Sequence, residues 1–296
     1  MPDAPAAQPD SSEPDEPGEP TWVDRASNAV LGGVESVGDA GRSALLAVGG
    51  VSILVWQAVR RIPRVYFGTR GKSLAWKNLT YQMVRVGVQA IPIVSLVVFC
   101  IGAILSLQIV PILRTYGAQD EVSRIIAIAM FRELGPLVGA ITLTGFAGAS
   151  IAAELGTMTV SEEIEALETH AIDPTAFLVV PRTVATAIMT VCLAIVANLM
   201  GVLGGMVSSV LAQDLSYELY LSRTIDSILM RDFLTGLFKA FVFGTIISGL
   251  ACWLGLGVKG GAQGVGEATT RTVVLTIVAL TIVDLMFTWL FFSVGV

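Results

Sequence analysis

Five long apolar stretches, roughly 91–113, 125–156, 177–212, 233–258 and 273–295, decide the solvent in which this chain folds. An α-helix rises about 1.5 Å per residue and the hydrocarbon core is about 30 Å thick, so about 20 residues cross it. Each stretch is long enough. Lipid offers the backbone no hydrogen-bonding partner, so each crossing must be a helix. Composition agrees: 54% of the residues are hydrophobic and 14% charged, where a soluble domain carries about 25% charged residues. The expected class is therefore an all-α membrane protein with five transmembrane helices.

The formal charge of −6 comes from one place. Residues 1–21 hold Asp3, Asp10, Glu13, Asp15, Glu16 and Glu19, six prolines and no Lys or Arg, which leaves 18 basic against 18 acidic residues elsewhere. Such a segment buries too little apolar surface to offset its ordering entropy, so it is expected to be a disordered tail. It lacks the basic and apolar regions of a secretory signal. Residues 22–90 form a second, mixed segment with nine of the 18 basic residues. Within it, Ala44 to Val59 is apolar for only 16 residues between Arg42 and Arg60-Arg61. That suits an interfacial or re-entrant helix, a short tilted span being the alternative. The remainder, 91–296, is the five-span domain. Cys100, Cys192 and Cys252 each lie in an apolar stretch, and small buried apolar residues are the role expected of them.

With a cytoplasmic N-terminus, twelve basic residues (the N-terminal nine, Arg182, Lys259 and Arg271) fall inside, against Arg114, Arg124, Arg223 and Arg231 outside. The positive-inside rule then favours N-in, with the C-terminus outside. Arg132 and Lys239 are left at or within span ends. Gly135/Gly139, Gly145/Ala149/Ala153 and Gly201/Gly205 carry small residues four apart, a pattern that lets helices pack closely, within the subunit or across a dimer.

Chemistry concentrates between Phe131 and Arg182. Arg132 and Glu133 interrupt an apolar run, and ionisable groups at membrane depth point to function. Gly135-Pro136 follows, where a helix is expected to start or break. Arg132 could hold an anionic headgroup through charge-assisted hydrogen bonds, or pair with a neighbour at the interface. Residues 157–176 read as an acidic loop with a short helix. Thr159 and Glu162 fit a capping box, and Val160, Ile164, Leu167 and Ala171 fall on one face. Glu162, Glu163, Glu165 and Glu168 crowd the other positions. This is either a plain surface helix or a coupling helix that docks on a partner with a basic rim and an apolar groove. Asp284 sits midway through the last apolar stretch and could line a cavity. His170 is the single histidine and reads as a surface residue.

Gly71-Lys72-Ser73 resembles the end of a phosphate-binding loop, but Tyr66 stands where that pattern needs glycine. The chain thus carries no nucleotide motif, and an ATP-driven function needs a separate subunit. Gly255 to Gly266 reads as a tight glycine-rich cytoplasmic turn.

The stretch RELGP…GASIAAELGTM…EEIEALET…IDPTAFLVVPR resembles the signature of MlaE/YrbE permeases, and GGAQGVGEATTRTVV (residues 260–274) is similar to their second motif. The resemblance covers about residues 80–296 and is strongest to the YrbE subunits of actinobacterial Mce systems. It implies five spans plus a membrane-lying N-terminal helix, in the permease subunit of a lipid transporter in the inner (plasma) membrane. It also implies a second permease subunit, as a heterodimer, a cytoplasmic ABC ATPase dimer that binds the ATP and magnesium, and MCE-domain proteins forming an outer ring or tunnel. The cargo implied is membrane lipid (fatty acids, mycolic acids, sterols or phospholipids), the direction import, and the chain itself neither an enzyme nor a nucleic-acid binder. Carried over by position, Arg132 and Glu133 match a charged pair near the lipid cavity, and Glu162 to Leu167 match the ATPase-coupling helix. Phe146 departs from the family, which often has a basic residue there. On the residues alone, an ion-gradient-driven secondary transporter is the alternative, and it would need intramembrane carboxylates such as Asp284.

Overall fold

The computed structural model describes residues 22–67, 72–213 and 215–294, with side chains chiefly from Leu45 onward. The acidic leader, 1–21, and Gly71 of the phosphate-loop look-alike lie outside the described residues. By internal contacts the chain falls into two units, 1–49 and 50–296. The described part of the first is helical from Trp22. Among the described residues the second unit is also built from helices, without strands.

Helix α1 is Trp22–Phe67 and is unbroken, so 44–59 is not a re-entrant loop. After it come α2 (Lys72–Val86), a single tight turn at Val88–Ala90, and α3 (Ile91–Thr115). The next rod, Gln119–Val160, is one continuous run made of α4 (Val122–Ala129), a wide turn at Met130–Leu134, α5 (Gly135–Leu143), a second wide turn at Thr144–Gly148, and α6 (Ala149–Val160). The short α7 (Glu163–Thr169) precedes a third wide turn, Thr175–Val179, and α8 (Val180–Gln213). Then follow α9 (Tyr217–Ser227), α10 (Met230–Leu256) and α11 (Gly261–Val294).

By length and composition six segments suffice to cross a membrane: Leu45–Tyr66, Ser73–Thr115, Gln119–Val160, Thr175–Leu211, Met230–Leu256 and Gly261–Val294. The last five cover the five stretches read from the sequence, save one or two residues at the ends of three of them. The first packs differently. Gly50 lies against the Trp253 indole, and Val51 and Val55 lie against Gly249. Arg61 Nε donates to Asp173 Oδ2 at 2.6 Å, and Tyr66 meets Trp76 edge-on at 5.5 Å between centroids. Trp253 and Gly249 are three and seven residues from the α10 terminus; Asp173 is in the loop after α7 and Trp76 is in the first turns of α2. Over some 24 Å of helix, α1 never leaves this end of the bundle. A crossing helix would reach the opposite end. Residues 50–66 therefore keep their contacts at the end that carries loops 161–174 and 257–260.

The proline positions explain two of the wide turns. Pro136 lacks an amide hydrogen and its ring would clash with the carbonyl four residues back, Arg132. The helix was expected to start or break at Gly135-Pro136; instead it continues, and the turn at Met130–Leu134 opens to five-residue spacing that clears the ring. Pro181 does the same to Phe177, inside Thr175–Val179. The Phe177 carbonyl so released accepts from Asn78 Nδ2 at 3.4 Å. Wide turns of this kind recur at functional sites because they re-aim side chains.

Three further readings need correction. Cys252 is buried, but Cys100 and Cys192 are exposed; the outer face of a membrane bundle is itself apolar, so a small apolar residue can face lipid. The glycine-rich turn is shorter than expected, because α11 begins at Gly261, and only Gly260 and Gly261 adopt positive φ (88° and 70°) there. Of the small-residue pairs, Gly201 and Gly205 do pack closely, against Met130 and against Tyr220 and Ile126, but Gly145 faces open space.

Candidate functional site

The bundle carries two clusters of buried charge. The first is assembled by the wide turn at Met130–Leu134. Lys239, on α10, is 1% exposed. Its ammonium donates to Glu133 Oε2 at 2.5 Å, to Asp284 Oδ1 on α11 at 2.9 Å and to Thr288 Oγ1 at 3.0 Å. Three N–H donors thus meet three acceptors, which is what a buried ammonium requires. The Thr288 hydroxyl also donates to Glu133 Oε1 at 3.0 Å. One chain of contacts therefore joins the α4–α6 rod, α10 and α11.

Arg132, next to Glu133, turns the other way. Its guanidinium lies 3.7 Å from Asp232, whose side chain is 6% exposed. Both residues line a cavity of about 410 Å³ together with Arg124, Arg223, Asp226 and Arg231. Four guanidiniums against two carboxylates make this cavity electropositive. It opens at the end of the bundle opposite to loop 161–174.

The second cluster centres on Glu154 of α6. Arg85 Nη1 donates to Glu154 Oε2 at 2.7 Å and Arg85 Nη2 to Ser150 Oγ at 3.1 Å. Arg182 Nη2 lies 3.1 Å from Glu154 Oε1, and its Nη1 donates to the Leu178 carbonyl at 2.9 Å. Glu154 is six residues from the end of α6, so this cluster sits about 9 Å from loop 161–174. Residues 134–153, between the two clusters, contain no charged side chain. From Glu133 to Glu154 is about 32 Å along the rod, close to the thickness of a hydrocarbon core. The two clusters are thus spaced to stand at the two boundaries of one bilayer.

The acidic loop differs in detail from its sequence reading. The capping box is absent: Thr159 lies within α6, where its hydroxyl donates to the Leu155 carbonyl at 2.8 Å, and Glu162 is left-handed (φ 60°) with no side-chain cap. A helix that has not yet ended cannot supply a cap. The shared apolar face is also smaller. Val160 belongs to the preceding helix and Ala171, at φ 58°, follows α7. Ile164 and Leu167 are half-buried against the core, and Glu162, Glu163, Glu165, Glu168 and His170 are exposed. The loop thus turns a row of carboxylates outward from an apolar anchor. Asp173 accepts the Thr175 amide at 3.0 Å, which fixes the start of the next rod.

Of the residues singled out from the sequence, Glu133 and Asp284 are brought together, Arg132 faces a separate cavity, and the loop glutamates lie at the far end. Lys239, Arg85, Glu154 and Arg182 were not among them. Lys239 had a signal, a lone lysine inside an apolar stretch. Glu154 lies within the quoted motif itself, and Phe146 lines a cavity beside it.

The family described as Permease MlaE matches residues 79–290. A probable ABC transporter permease protein of Rickettsia prowazekii is 37% identical over 213 residues, 72% of this chain and 82% of that protein. A probable ABC transporter permease protein of Rickettsia bellii is 36% identical over 250 residues, 84% of this chain and 93% of that one. The intermembrane phospholipid transport system permease protein MlaE of Haemophilus influenzae is 31% identical over 254 residues, 84% of this chain and 97% of that protein.

Proposed function

Because the chain belongs to the MlaE permease family, a multi-pass membrane protein in which six helices are long and apolar enough to cross, we propose that it moves lipids with acidic headgroups across the cell envelope, in the import direction, driven by ATP hydrolysed on a partner subunit. The observation that carries this reading is the electropositive cavity of about 410 Å³ lined by Arg132. A long acyl chain pays about 0.8 kcal/mol for each CH₂ it exposes to water, so transfer needs a path with an apolar body and a charged end. The cavity offers the charged end. The exposed apolar faces of α3 and α11, with Leu96, Leu107, Leu285 and Trp289, offer the body, and a second permease subunit, as a heterodimer, would close it. Glu133 and Asp284 serve the same path indirectly, by holding the wall next to Arg132 through Lys239.

Arg132→Ala is expected to lower ATP-dependent uptake of a fluorescent anionic phospholipid about tenfold in proteoliposomes, the loss of one charge-assisted hydrogen bond. Because Arg132 also faces the buried Asp232 carboxylate, uptake is read per folded, reconstituted protein, with Arg132→Lys, which keeps the charge, retaining most of it. Unchanged uptake removes the headgroup role.

In the same reading, loop 161–174 faces the cytoplasm of an inner-membrane protein with a cytoplasmic N-terminus. An ABC ATPase dimer, carrying the ATP and magnesium, docks on Glu162, Glu163, Glu165 and Glu168 around Ile164 and Leu167. MCE-domain proteins meet the opposite end. The triple reversal Glu163→Lys, Glu165→Lys and Glu168→Lys is expected to weaken ATPase co-purification about tenfold at low salt. The loss should shrink as salt rises, since these are exposed charges. Co-purification that does not change moves the docking surface elsewhere. An ion-driven carrier is the poorer reading, because Lys239 already pairs with Glu133 and Asp284, the carboxylates it would use.

A further inference from the structure

The loop-end cluster has more positive charge than it uses. Glu154 spends one oxygen on Arg85 and the other on Arg182. Two guanidiniums thus share one carboxylate, and the Arg182 side chain is 4% exposed. Its Nε is buried without a partner. An excess charge withdrawn from water is costly unless an anion offsets it.

Gln82 on α2 adds a second, independent observation. It is 4% exposed, so its polar amide is held at the wall of the cavities and not in bulk water. Gln82 lines two cavities at once. One, of about 260 Å³, also holds Arg85, Phe146 and Glu154; the other, of about 400 Å³, holds Lys77, Phe177 and Arg182. Three basic side chains and one acidic one line the pair, so the walls carry two positive charges in excess. Phe146, Phe177 and Met158 add apolar wall beside the uncharged polar groups of Asn78, Tyr81, Gln89 and Ser150. This lining fits a molecule with one anionic group and a hydrocarbon chain.

We propose that this double cavity between α2, α6 and α8 is a second headgroup site, at the end of the bundle that bears loop 161–174, which takes the phosphate or carboxylate of a single-charged amphiphile. Gln82 donates its amide hydrogens, Lys77 supplies charge at the rim, and Arg85 and Arg182 supply the field behind. Glu154 competes with the ligand for both guanidiniums and so sets its affinity. As a station for cargo the site rests on the reading that the chain moves lipids; as a binding site it does not.

The test is equilibrium binding, without ATP, to the full-length chain in nanodiscs of zwitterionic lipid. The probes are dodecyl phosphate, dodecyl phosphocholine and inorganic phosphate, titrated by calorimetry. Dodecyl phosphate should saturate one site. Its affinity should fall about tenfold in Lys77→Gln and in Gln82→Leu, the loss of one hydrogen bond to a charged group. It should be kept in Lys77→Arg and should rise in Glu154→Gln, which frees the guanidiniums. A merely structural cluster would give no tighter variant. Equal binding of dodecyl phosphocholine, or unchanged affinity in both Lys77→Gln and Gln82→Leu, overturns the proposal. Inorganic phosphate binding as tightly as dodecyl phosphate overturns the lipid assignment in favour of a free-phosphate site. Lys77 is exposed and its variants leave the fold intact, so the result stands even where Glu154→Gln does not fold. Because no transport is measured, failure here leaves the Arg132 reading untouched, and failure of Arg132→Ala uptake leaves this site standing.

Discussion

Lys239→Met is expected to cost the fold about 3–5 kcal/mol, the range seen when one partner of a buried ion pair is removed. Methionine nearly matches the volume of lysine, so packing is not the cause. The variant leaves Glu133 and Asp284 facing each other with no cation between them, and Thr288 can satisfy only part of what remains. The measurement is thermal melting in detergent, with the monodisperse fraction after solubilisation. The variant should melt far below wild type, and neutralising both acids as well, with Glu133→Gln and Asp284→Asn, should recover most of the loss. A Lys239→Met protein that melts like wild type would mean that water reaches the cluster freely.

Gly204→Val is expected to abolish folded protein. A Cβ at Gly204 would stand 2.0 Å from the Phe99 carbonyl oxygen on α3, and one at Gly102 would stand 1.9 Å from the Gly201 carbonyl oxygen on α8. The opposing atoms are backbone, so neither side can turn away, and α3 would have to lift off α8 along their shared length. In a bilayer, helix association depends on such close packing because lipid is as apolar as the helices themselves. Gly145→Ala is the control. Gly145 has nothing within 4 Å of the added carbon, and relief of glycine's backbone entropy should leave its melting unchanged or slightly raised. Expression yield and melting of the pair would separate the two. A well-folded Gly204→Val protein would contradict the α3–α8 interface.

The spans were legible because hydrocarbon imposes a length and a composition that no loop shares. Apart from an end residue or two, each of the five stretches falls in a rod of continuous helix. The clusters were less legible, for a physical reason. Glu133, Lys239 and Asp284 are 106 and 45 residues apart, and nothing local records which lysine a carboxylate will meet. Only the cost of burial hints that each must meet something. The capping box failed because a threonine three residues before a glutamate scores the same whether the helix is beginning or ending. Here Thr159 was finishing α6. Proline misled in the opposite way: Pro136 looked like punctuation, and it proved to be tolerated by a widened turn. The neighbours of Phe146, Arg85 and Glu154, became visible only once α2 had been placed beside α6.

The ion pair between Arg61 and Asp173 has a mechanical corollary. Asp173 stands at the base of the acidic loop, and Arg61 lies in the last turns of α1. Both side chains are partly open to solvent, at 28% and 42%, and a pair of that kind contributes about 0–1 kcal/mol. The tie is therefore a weak latch: it sets where the loop rests, yet lets go at a cost close to thermal energy, so the loop can change its angle without unfolding anything behind it.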